Sequence, residues 1–245
     1  MRPARGWSLP VPDEFFVGYL PMPPATARRM KRIAATILVL GAATATALAI
    51  ATGPFDRAAY EFGKAAAFEG TLRVAPSPTL VAADRTYPLV AEGKHGAAPL
   101  VARLEGQSVR LSGTRILRDG TIMLEVVAGS VLPLGSALTP AARIDDLGPA
   151  RLSGEIVDSK CFLGVMNPGR LEVHRACAKR CIAGGIPPML FTHDAQGKEL
   201  HVLLVDGSGQ PVNDRVLPLV ARPVTIEGRL ERRDGLHYLY VSSWD

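Results

Sequence analysis

The chain has 245 residues, 47% of them hydrophobic and 21% charged, which excludes a wholly disordered chain and leaves room for one large or two small cores. The formal net charge is +5, but residues 1–32 carry six basic against two acidic side chains, so the remaining 213 residues are close to neutral. That distribution removes the electrostatic footing for a nucleic-acid-binding body.

In chain order, the head PVPDEFFVGYLPMPPATARR places Phe15, Phe16 and Tyr19 among prolines. It reads as an aromatic anchor at a membrane interface or, over residues 10–24, as a docking peptide for another membrane subunit. The basic cluster Arg28, Arg29, Lys31 and Arg32 follows and closes a head of residues 1–32. Residues 33–52, IAATILVLGAATATALAIAT, contain no charge. Twenty helical residues rise roughly 30 Å, the thickness of a hydrocarbon core. Positive charge before the segment predicts a cytoplasmic N-terminus in a bacterial inner membrane, with the bulk periplasmic. A long-headed signal peptide with its small-residue exit, or a twin-arginine export signal, is the alternative. Residues 53–65 read as a linker.

Beyond the linker the chain repeats itself. Residues 109–126 align without a gap with residues 224–241, at an offset of 115. The pairs include Val109/Val224, Gly113/Gly228, Arg118/Arg233, Asp119/Asp234, Gly120/Gly235 and Val126/Val241. Each copy is an alternating strand, an Asp-Gly turn and a second strand, the signature of a β-hairpin. A leading strand recurs as FEGTLRV (68–74) and LSGEIVD (152–158). The expectation is a mainly β fold: two tandem OB-like barrels at 66–142 and 148–245, with Pro133, Pro140 and Pro149 marking the junction.

All three cysteines lie in one segment, CFLGVMNPGRLEVHRACAKRC, running from Cys161 to Cys181. A short helix is predicted from Leu171 to Ile182, stopped by Gly184 and Gly185. On it His174, Cys177 and Cys181 fall within about 60° of one another, and Cys161 can approach from the strand end. The resulting Cys3His set (Cys161, His174, Cys177, Cys181) suits zinc, or copper with Met166 or Met189 nearby. A disulfide from Cys161 to one partner, leaving a free thiol, and thiol redox chemistry are the alternatives. Arg175, Lys179 and Arg180 stand ready to favour thiolates. His95, His193, His201 and His237 suggest no site, and no Ser/His/Asp arrangement, P-loop or dinucleotide fingerprint occurs.

The strings Asp158-Ser-Lys-Cys161-Phe162, His174-Arg-Ala-Cys177-Ala-Lys-Arg-Cys181-Ile182 and Gly185-Ile-Pro187 resemble a motif of small exported bacterial OB-like proteins of unsettled activity. The resemblance covers about 152–241 and implies fold and compartment rather than a reaction. Together these readings point to a non-catalytic, membrane-anchored accessory subunit of a respiratory or metal-handling complex. A disulfide-stapled binding module and a periplasmic thiol oxidoreductase are the rivals.

Overall fold

The computed structural model describes residues 22–52, 58–136 and 141–245. Most of the expected docking peptide, up to residue 21, lies outside the described residues. The first helix, α1 (Pro24–Thr52), is opened by a proline, favoured there because its missing N–H would be unpaired in any case. Its most apolar 18-residue window has a mean hydropathy of 2.2, and among the described residues it is the one helix long and apolar enough to cross a membrane. It starts nine residues before the uncharged stretch at Ile33, so Arg28, Arg29, Lys31 and Arg32 belong to its first turns. Arginine and lysine are good helix formers whose stems lie along apolar surface while the charge stays in water.

From Asp56 onward the chain is a second compact unit. Its N-terminal half contains β1 (Ala58–Tyr60), β2 (Ala66–Arg73), β3 (Thr79–Val81), β4 (Thr86–Ala91), the single turn α2 (Ala98–Val101), β5 (Gln107–Arg118), β6 (Thr121–Val126) and β7 (Leu132–Ser136). The segment expected as a linker thus supplies a strand, β1, paired antiparallel with β5. The C-terminal half contains β8 (Ile144–Asp158), α3 (Arg175–Ala183), β9 (Pro188–His193), β10 (Glu199–Asp206), the single turn α4 (Asn213–Val216), β11 (Pro223–Arg233) and β12 (Leu236–Trp244).

In the C-terminal half the strands close into a barrel in the order β10-β12-β11-β8-β9, with β10 and β12 parallel. In the N-terminal half β2 pairs β3, β3 pairs β4, β4 runs parallel to β6, and β5 pairs both β6 and β2. Strand for strand this is the same circuit. The correspondence reaches the connections: α2 and α4 occupy positions 115 apart. So do the backbone bonds from Ala91 to His95 and from Asp206 to Gln210, each 2.9 Å.

Both Asp-Gly turns have their two central residues at positive φ, 44° and 85° at Asp119-Gly120 and 48° and 87° at Asp234-Gly235. That is the hairpin geometry whose twist matches the flanking strands. Pro149, expected at a junction, lies inside β8 opposite Arg229. It is tolerated because β9 pairs β8 only from Glu155 onward, leaving that edge free of ladder bonds.

The halves differ in one connection. Residues 74–78 link the first two strands of the N-terminal circuit, whereas residues 159–187 link β8 to β9. The longer link carries every cysteine. Each circuit has its own apolar filling, Leu72, Leu80, Leu89, Leu111 and Leu124 in the first, Ile156, Leu190, Val202, Ile226 and Leu239 in the second. A third cluster joins them: Val90, Ile116 and Met123 pack with Val157, Phe162, Leu163, Ile186, Met189 and Tyr238, and Cys161 and Cys181 lie within it.

Candidate metal centre

The centre begins at the last residue of β8. Asp158 is 0% exposed, and a carboxyl group so placed requires hydrogen bonds to offset its desolvation. One oxygen accepts the Cys161 backbone N–H at 2.8 Å; the other lies 3.0 Å from His174 Nε2. The chain then makes one wide turn, Cys161–Val165, closed by the Met166 N–H on the Cys161 carbonyl at 3.0 Å. Arg118 of β5 braces this turn, donating to the Phe162 carbonyl at 3.1 Å with its guanidinium 4.1 Å from the Phe162 ring centre. A 3-10 turn, Glu172–His174, leads into α3, which ends at Gly184.

This path gathers the sulfurs. The Sγ atoms of Cys161, Cys177 and Cys181 all lie within 4.8 Å of one another, with Cys161 and Cys181 at 3.9 Å. His174 sits immediately before α3, and its ring groups with Asp158 and Cys161 rather than with Cys177 and Cys181. The four expected ligands therefore divide: the three sulfurs form one group, while His174 joins Asp158, which was not among the four, in a buried pair that meets that group at Cys161. Of the two methionines considered, Met189 is packed in the cluster around Cys161 and Cys181, and Met166 is exposed.

The N-terminal half supplies a residue that sequence reasoning missed. Lys94 Nζ donates to Cys177 Sγ at 2.8 Å and to Cys181 Sγ at 3.7 Å. Its loop is pinned by the Gly96 N–H on the Gly184 carbonyl at 3.0 Å. The approach is so close that a Cβ on Gly96 would stand 2.0 Å from the Gly185 oxygen, and one on Gly184 would stand 1.9 Å from the Lys94 oxygen. Lys160, 3% exposed, fastens the same loop from below. It donates to the carbonyls of Ala91 at 2.9 Å and Gly93 at 2.7 Å and pairs with Glu125, which also accepts the Tyr60 hydroxyl. The signal for Lys94 was local: a lysine in a tight Gly93–Gly96 loop, though nothing nearby connects it to cysteines 83 and 87 residues away.

These contacts polarise the thiols. The Cys181 thiol is lowered to about 7, first because the Cys161 thiol hydrogen-bonds to it and further because the Lys94 ammonium stands close. Cys161 moves the other way, pushed far above the ordinary thiol range by donating to Cys181 and by burial. Lys94 is raised, chiefly by its bond to Cys177. The cation beside the sulfurs is thus Lys94, while Arg175 spends its charge on Glu172 at 3.1 Å.

The remaining histidines stay outside this centre. His201 contacts Thr121 Oγ1 at 3.0 Å and packs edge-on against Phe162, and His193 stacks edge-on against Phe191. Comparison with family models, curated proteins and solved structures returned no match, so the reading of this centre rests on its own geometry.

Proposed function

We propose that this chain is a membrane-anchored accessory protein that holds one soft metal ion at Cys161, Cys177 and Cys181. The carrying observation is the convergence of the three sulfurs, all within 4.8 Å of one another. Ligands of a tetrahedral thiolate site with metal–sulfur bonds of about 2.3 Å stand about 3.8 Å apart, and those of a trigonal one about 4.0 Å. The Cys161–Cys181 separation of 3.9 Å falls in that range. Thiolate ligands in an apolar shell favour soft ions over magnesium or calcium, which need several oxygens.

The barrels would be OB-like modules, a reading supported by the strand circuit with its parallel pair between the third and fifth strands. Helix α1 would be the anchor, with the barrels on the periplasmic face, supported by the apolar run and the basic cluster at its start. The role in a membrane complex rests on that anchor and on the aromatic head. Elemental analysis of the full-length chain in detergent tests the metal reading. One metal equivalent is expected, lost in each of Cys161→Ser, Cys177→Ser and Cys181→Ser. Metal retained at full stoichiometry in any of these folded variants, or no metal in the parent chain, contradicts it.

A further inference from the structure

We propose that the ion is copper(I), bound by three thiolates in a plane with neither the histidine nor water as a fourth ligand. The proposal rests on the metal reading above and sharpens it. Zinc and copper(I) both accept thiolates, and they part company on coordination number: protein zinc is four-coordinate, with water completing the set where the chain gives only three ligands.

The geometry withholds the fourth ligand on two sides. His174, the nearest nitrogen ligand, is drawn to Asp158 at 3.0 Å and its ring groups with Asp158 and Cys161 alone. That bond occupies only Nε2 and leaves the Nδ1 lone pair free, but it fixes the ring. The carboxyl group is fully buried, its second oxygen already accepts the Cys161 N–H, and moving the imidazole toward Cys177 and Cys181 would leave the first oxygen without a partner. Beside Cys177 and Cys181 stands the Lys94 ammonium, which donates hydrogen bonds and has no lone pair to give. The rest of the surroundings is apolar: Val90, Ile186 and Met189 pack with Cys161 and Cys181.

Charge by itself leans the other way, because a dication with Lys94 would neutralise three thiolates and copper(I) with Lys94 leaves one negative charge. Coordination decides the matter. A dication would have to shift the His174 ring from its place beside Asp158 and Cys161 toward Cys177 and Cys181, or seat a water beside the lysine, whereas copper(I) needs only the three sulfurs that already converge. Cys177, half-buried while Cys161 and Cys181 are buried, is the vertex at which an ion arrives.

The test uses full-length protein in detergent micelles, loaded anaerobically with copper(I) or zinc against a chromophoric chelator, with X-ray absorption on each loaded form. One copper(I) per chain with three sulfur neighbours and no nitrogen is expected. Zinc should bind at least about tenfold more weakly than in a complete four-ligand site, the lower end of what outer partners alone contribute. His174→Ala tests the ligand set, and His174→Asn, which retains a donor for Asp158, guards against a folding defect. Both should keep the copper stoichiometry and the three-sulfur spectrum. A nitrogen neighbour that disappears in His174→Asn, or tight zinc with a fourth ligand, overturns the copper(I) proposal and leaves the soft-metal reading standing. Failure to bind either ion overturns both.

Discussion

The two β circuits share strand order, hairpin turns and even the single-turn helices, yet only one carries cysteines. The N-terminal circuit crosses from its first strand to its second through residues 74–78; the C-terminal circuit takes residues 159–187 for the same step. A repeated frame therefore tolerates a long excursion at one connection because the strand pairing on either side is already fixed by register. The plain half is not idle. It lays the loop of Lys94 against the end of α3 and contributes Val90, Ile116 and Met123 to the apolar cluster around Cys161 and Cys181. One half holds the three cysteines and the other closes over them.

The largest way to break this arrangement is at the glycine contact between the halves. Gly96→Ala forces a Cβ to 2.0 Å from a backbone oxygen that no side-chain movement can relieve. A loss of about 3 kcal/mol or more is expected, seen as a lowered unfolding midpoint with Lys94 released from the thiols. Next comes Lys160→Met, which leaves Glu125 partly buried without its cation and strips two carbonyls of their donor. Breaking such a pair costs about 3 kcal/mol, and unfolding with the metal chelated should read it without interference from ligand binding.

A smaller change sharpens the electrostatic side. In metal-free protein, Lys94→Met removes the ammonium that helps hold Cys181 at about 7, so its thiol moves back toward ordinary values. Thiolate ultraviolet absorbance should then appear at higher pH than in the parent chain. An unchanged titration would mean that the neighbouring thiols, Cys161 and Cys177, account for the lowering without Lys94.

The smallest expected effects come from the matched turns. Gly120→Ala and Gly235→Ala each meet open space, but at φ of 85° and 87°. Each should cost about 1 kcal/mol through left-handed backbone strain, and the two losses should be alike. Markedly unequal losses would mean that the hairpins, despite their common register, are held differently.

Much of the frame was legible because its signals are local. Asp119-Gly120 and Asp234-Gly235 announce their hairpins, Gly184 and Gly185 stop α3, and the uncharged stretch from Ile33 marks the core of α1. The expected Leu171–Ile182 helix appears as a 3-10 turn followed by α3. What escaped was set by distance. Lys94 reaches the cysteines only after the halves pack, and no periodicity records that contact. The capture of His174 by Asp158 was hidden as well, since helical spacing placed the histidine with Cys177 and Cys181. Spacing gives a face, but a fully buried carboxylate beside Nε2 decides where the ring is held. The strand β1 was missed because three residues are too short for alternation to register, and its place depends on β5.

Counting thiols in the full-length chain, denatured with and without a strong chelator under anaerobic conditions, tests the convergence of the three sulfurs most directly. Three titratable thiols once metal is removed, with all three protected from alkylation in the loaded native protein, is the expected result. A single thiol whatever the chelator, with Cys161 recovered in a disulfide, would contradict it.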